Sequence, residues 1–207
     1  KNLYISIEEI TDEEFQSLSD AEKVKLLNEQ EDLDINRAME LLTNIGIDNL
    51  SPILLSTLGR MYNNNGRPAE AIELFDRIDE AHRDWSWYYR CGYAYASLAC
   101  GESYESEHVQ KALQLIETAM KMTKEAHLDK QLGWCCEVVI YLLTQIKPKE
   151  YKTDYPVIFE TIENFYDKKN CKDTTDRKDT EDVNEYEEVN YPTYDEVYWV
   201  FNKLTYS

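Results

Sequence analysis

The chain has 207 residues, 22 of them basic and 41 acidic, for a formal net charge of -19. Such a charge repels phosphate backbones and argues against nucleic acid, leaving a basic protein or peptide as the electrostatically favoured partner. Glycine and proline are scarce, strand alternation and hairpin signals are absent, and no apolar run approaches the ~20 residues that span a bilayer; an all-α protein with no membrane segment is expected.

Residues 1–10 read as an extended lead-in, and Lys1 in place of methionine reads as the start of a trimmed or processed chain. Thr11, followed by Asp12, Glu13 and Glu14, has the form of a helix start, because a hydroxyl cap and early carboxylates both satisfy the first turn. Ser19 to Glu22 offers a second start, with Val24 and Leu27 facing inwards. A helix from Ile35 to Asn44 is predicted to end at Gly46. Ser51-Pro52 opens the next, which closes over Asn64-Asn65-Gly66, and Pro68 to Ile78 is its partner. Trp85 to Leu98, Glu107 to Thr123, Leu128 to Ile146 and Tyr155 to Asp167 are predicted as further helices. Residues 169–190 are nearly devoid of aliphatic side chains and rich in acids, which predicts a linker or loop. Residues 191–207 carry a short aromatic helix with Tyr198 and Phe201. Too short to stand alone in water, it is expected to dock back, either capping the preceding helices or filling a groove.

A repeat underlies these elements. Gly59 and Tyr62 recur as Gly92 and Tyr95 at a spacing of 33, and Ala38, Leu42 and Ile45 recur as Ala71, Phe75 and Ile78 at the same spacing. Ala112, Ile116 and Ala119 repeat that trio at 41, as Gly133 repeats Gly92, which places an insertion of eight near Cys100 to Glu105. The small residues permit close helix crossings and the aromatics fill the space between pairs. Each pair then leaves an apolar face that its neighbour must cover.

Leu58-Gly59-x-x-Tyr62, then Gly66, then Ala71-x-x-x-Phe75 resembles the tetratricopeptide repeat over roughly Asp34 to Leu143. The resemblance implies a right-handed α-solenoid of antiparallel helix pairs over residues 1–168, with residues 191–207 as a capping or docking helix. It further implies a non-enzymatic module that binds a peptide or protein segment in a concave groove. Carried over in register, the groove positions are Ser56, Arg60 and Asn63, then Tyr89, Arg90 and Tyr93, then Lys130, Trp134 and Glu137. Tyr89, Tyr93 and Trp134 form an aromatic stripe suited to apolar anchors, and Arg60, Arg90 and Lys130 suit carboxylates. Cover of that stripe by the chain's own later helices is the alternative. Ser56 and Arg60 stand where the family's chaperone-tail clamp has lysine and asparagine, so chaperone-tail binding is not expected.

Phosphate-loop, dinucleotide, zinc-protease and nucleophile-elbow motifs are absent, and His82, His108 and His127 have no metal-ligand spacing. Neither catalysis nor a cofactor is expected. The five cysteines include no C-x-x-C, and Cys91 and Cys135 fall beside repeat glycines, as reduced core residues of a cytoplasmic protein would. The segment Asp84-Trp85-x-Trp87-Tyr88-x-x-x-Gly92-Tyr93 also resembles stand-alone bacterial repeat proteins encoded beside toxins. It implies an alternative function, an acidic inhibitor or immunity-type protein that blocks a basic enzyme or toxin.

Overall fold

A computed structural model of the protein describes residues 6–28, 34–146, 151–162 and 164. The expected acidic linker and aromatic C-terminal helix lie outside them. The described residues are all-helical: α1 (Asp12–Ser17), α2 (Asp20–Asn28), α3 (Ile35–Ile45), α4 (Pro52–Asn64), α5 (Pro68–Asp76), α6 (Trp85–Leu98), α7 (Glu107–Glu125), α8 (Asp129–Ile146) and α9 (Tyr151–Asp154). Residues 156–162 form a further helical stretch. The chain divides into two compact units, residues 1–94 and 95–207, with the division inside α6.

In the first unit local chemistry sets each helix start. Thr11 Oγ1 accepts from Glu14 N while Glu14 Oε2 accepts from Thr11 N, a reciprocal box that opens α1. Ser19 and Glu22 repeat the arrangement at α2, and Asp34 Oδ1 caps α3 by accepting from Asn36 N and Arg37 N. α1 is fastened to α3 by charge. Arg37 Nη2 donates to Asp12 Oδ1 at 2.7 Å and to Ile10 O at 3.1 Å, while Asn44 Nδ2 donates to Asp12 Oδ2 at 2.7 Å.

α4 and α5 form a helical hairpin closed at Gly66. There Arg67 N reaches Tyr62 O (2.9 Å) and Gly66 N reaches Asn63 O (3.1 Å), the paired bonds that end a helix on a left-handed residue, with Gly66 at φ 70°. Gly59 lies against the fully buried Phe75: a Cβ at Gly59 would stand 2.5 Å from Phe75 Cε1 and 2.7 Å from Cζ. The expected close crossing of this pair is therefore present. Trp87 of α6 donates from Nε1 to Phe75 O at 3.0 Å, and Arg83 lies 4.3 Å from its ring centre. Ala38, Leu42, Leu58, Ala71, Phe75 and Ile78 are buried as the repeat register requires.

In the second unit α7 and α8 form another hairpin. Ser106 Oγ caps α7 at Val109 N, and the helix closes with Leu128 N to Thr123 O (2.9 Å) and His127 N to Lys124 O (3.2 Å). The same two-bond closure is used here with a non-glycine residue, His127 at φ 55°. α7 runs two residues beyond its predicted end, to Glu125, because this closure completes the last turn. The helix expected from Tyr155 is present over residues 156–162, and the one-turn α9, not foreseen, precedes it; the two part at Tyr155, the residue before Pro156, where helical backbone is disfavoured. Tyr155 donates to Gln110 Oε1 at 2.6 Å, and Glu117 Oε1 accepts from Val157 N at 3.3 Å, so α7 holds the following segment. Tyr155, Ile158 and Ile162 are buried.

Candidate functional site

The repeat register places Ser56, Arg60 and Asn63 at i, i+4 and i+7, one face of α4. α6 meets that face. Arg90 Nη1 donates to Ser56 Oγ at 2.7 Å and to Ser56 O at 3.3 Å, and Asn63 Nδ2 donates to Arg90 O at 2.9 Å. The side chain of Arg90 thus anchors one turn before Arg60 on α4, and its backbone one turn after. Ser56 and Asn63, expected to line open groove, are buried by this contact. Arg60 Nη2 donates to Asn28 Oδ1 at 2.7 Å.

Both arginines are partly buried and, among the described residues, hydrogen-bonded to neutral acceptors, while the charge of Asp84 acts on Arg90 from beyond ion-pairing distance. Burial, and then the neighbouring charge of Arg60, lowers the pKa of Arg90 to about 10; burial lowers that of Arg60 as well. Both remain protonated at neutral pH. Arg60 Nε and Asn63 Oδ1 are buried and have no partner among the described residues, one donor and one acceptor within a turn of each other. Tyr89 and Tyr93, one turn apart on α6, stand with ring centres 6.5 Å apart, and Tyr93 is 39% exposed. The first unit therefore brings together Arg60, Asn63, Tyr89, Arg90 and Tyr93.

Lys130 and Trp134 belong to the second unit, where Lys130 Nζ lies 5.6 Å from the Trp134 ring centre. Glu137, one turn further along α8, is held above the usual carboxylate range by burial, and its Oε1 has no partner among the described residues. Tyr141, 45% exposed, extends this face by another turn.

Sequence reasoning missed Asn28 and Tyr141. Asn28 precedes the stretch that carries the repeat pattern, yet its distance of 32 residues from Arg60 is close to the repeat period. Tyr141 was hidden in an apolar run, although its seven-residue spacing from Trp134 was visible.

Among the described residues no group of three His, Cys, Asp or Glu side chains is placed to hold a metal ion. His82 faces Asp79 Oδ1 at 2.6 Å and His108 faces Glu102 Oε1 at 2.9 Å, pairs that tie loops to neighbouring turns. Cys91, Cys135 and Cys136 are buried; burial pushes the pKa of Cys135 far up and that of Cys136 to about 12, which suppresses thiolate chemistry at these two. Of the described helices none is long and apolar enough to cross a membrane. No family model, curated protein or solved structure matches the chain.

Proposed function

We propose that the chain is a non-enzymatic protein-interaction module of the tetratricopeptide kind, and that the first unit binds a peptide segment across α4 and α6. What supports the reading is one observation: Arg90 bonds to α4 one turn before Arg60, near enough for each charge to be felt by the other, without a carboxylate within ion-pairing distance of either among the described residues, and Arg90 shares α6 with the Tyr89–Tyr93 pair. Guanidiniums and tyrosine rings are the side chains that dominate peptide-binding hot spots, since they combine area with directed hydrogen bonds. An acidic group flanked by an apolar or aromatic residue is the ligand chemistry they fit.

Selection of peptides from a random display library on the full chain tests this. Enrichment of sequences that join an acidic to an aromatic residue, with binding weakened at least tenfold by Tyr93→Ala and by Arg60→Gln, is the expected result. Absence of any enriched class, or binding indifferent to both changes, would sink the reading. Salt separates it from the charge-blocking inhibitor: a complex held by the global charge weakens steeply with ionic strength, whereas partly buried pairs are screened much less.

A further inference from the structure

Every other arginine of the first unit has a clear counterpart. Arg37 pairs with Asp12 and Glu40, Arg67 with Glu70, and Arg77 with Asp48, all between 2.6 and 3.0 Å, while Arg83 stacks on Trp87. In a chain with 41 acids to 22 bases, carboxylates are the commonest charged neighbours available. Among the described residues, Arg60 and Arg90 are the two arginines of the first unit with neither a carboxylate within ion-pairing distance nor a ring to stack on, and their hydrogen bonds meet at α4.

We propose that Arg60 and Arg90 form an oxyanion site for a phosphoryl ester carried by the peptide the first unit binds, which rests on the interaction-module reading above. Two positive charges placed together and partly desolvated are matched by a dianion and left half-compensated by a single carboxylate. A phosphoryl ester carries about −1.5 to −2 charges at neutral pH and three strong acceptor oxygens. Arg90 spends Nη1 on Ser56, and Arg60 spends Nη2 on Asn28. The N–H groups left over on the two planar forks outnumber the lone pairs of one carboxylate and suit a tetrahedral anion approached from two sides. Buried Arg60 Nε is one such donor without a partner among the described residues. Asn63 Oδ1, the acceptor one turn away, suits a backbone N–H of the same peptide.

Phenyl phosphate, isophthalate and benzoate share a ring and differ in the anion, so they separate the occupants. Each is titrated into the full chain at low ionic strength by calorimetry, on either side of the phosphate ester's second pKa of about 6. Phenyl phosphate is expected to bind roughly tenfold more tightly at about pH 8 than at about pH 5, following its dianion fraction, with benzoate weaker by a factor of ten or more. Arg60→Gln should abolish the binding, while Arg77→Gln on the exposed Asp48 pair leaves it intact. Arg90→Gln should do as Arg60→Gln does; because Arg90 also holds Ser56, its folding is checked by circular dichroism, and Arg60→Gln decides alone if it unfolds. Binding that is absent, insensitive to Arg60→Gln or flat across pH would overturn the proposal. Tighter binding of isophthalate would overturn it too, assigning the pair to two carboxylates. Failure here with enriched peptides in the display selection removes the phosphoryl site and leaves the module; tight phenyl phosphate binding with no enriched peptide removes the module.

Discussion

Replacing Gly59 by alanine sets two opposing effects against each other. Glycine inside a helix is less stable than alanine by about 0.5–1 kcal/mol, so the substitution gains that much from the backbone. Against it stands the Phe75 ring: the new methyl would lie 2.5, 2.7 and 3.0 Å from three ring carbons, closer than carbon atoms approach without displacement. Phe75 is fully buried between α4 and α5 and packs beside Trp87, whose indole holds Phe75 O, so it has little room to retreat. Overpacking of this kind costs about 1–3 kcal/mol, and three short contacts against a rigid ring place it near the top of that range. The net expectation is a destabilisation of about 2 kcal/mol, or roughly 4–8 °C in Tm for a chain of this size. Urea unfolding followed by far-UV circular dichroism measures it. Pairing the change with Phe75→Leu, which removes the obstructing ring atoms, should make the double variant more stable than the sum of the singles by about 1 kcal/mol. A Gly59→Ala protein as stable as the parent, or additive behaviour in the pair, would refute the close crossing and with it the repeat register.

The two hairpin closures give opposite predictions: Gly66→Ala meets open space but keeps a positive φ, costing about 1 kcal/mol, while His127→Gly relieves the same strain and gains about as much, both read by Tm. Asp12 is held below its ordinary 3.8 first by its hydrogen bond from Arg37 and then by Asn44. A depressed carboxylate contributes stability above its unfolded pKa and loses it as pH falls through the folded value. The stability difference between the parent and Asp12→Asn should therefore be constant near neutrality and shrink below about pH 3.8, as pH-dependent urea midpoints would show. In the native protein exposed Cys100 should react with a thiol reagent well before Cys91, Cys135 and Cys136, which should label only on unfolding, as residue-resolved mass spectrometry would reveal.

The parts of the fold that were legible are those carried by periodic small and apolar residues. Gly59, Ala71, Phe75, Gly66 and Pro68 announce a hairpin because each solves a local steric problem at a fixed offset, and the structure pairs α4 with α5 accordingly. The α7 end was harder, since the left-handed position that favours glycine is filled by His127, which carries no turn signal. Polar links off the repeat spacing left no trace. Arg37 finds Asp12 across 25 residues, and nothing in either neighbourhood marks them as partners. Lys23 shows a further limit. A register reading turns Val24 and Leu27 inwards; Leu27 is buried, yet Lys23 is more buried than Val24, because its ammonium donates to Gln16 O and Leu18 O at the end of α1 while its stem leaves water. A buried charge is readable only when its acceptors are known.

The same distinction isolates Arg60 and Arg90. Elsewhere in the first unit local chemistry and tertiary packing agree: caps meet helix starts, Gly59 meets a crossing, and the arginines meet carboxylates or, at Arg83, a ring. On the α4 face they conflict, because two like charges are drawn together and partly withdrawn from water with only neutral oxygens to hold them. Placing a cation in such surroundings costs free energy that an aliphatic or amide side chain at either position would avoid. Folding alone does not require a charge at either position, since a neutral donor of similar reach would serve Ser56 and the bond from Asn63 goes to the backbone O of residue 90. A bound anion supplies the missing half of each interaction, so stability forgone in the free protein reappears as affinity in the complex. Arg60→Gln should accordingly cost little stability, or even add some, while it removes the anion's binding. That split between folding and binding is the signature a purely structural arginine pair would lack.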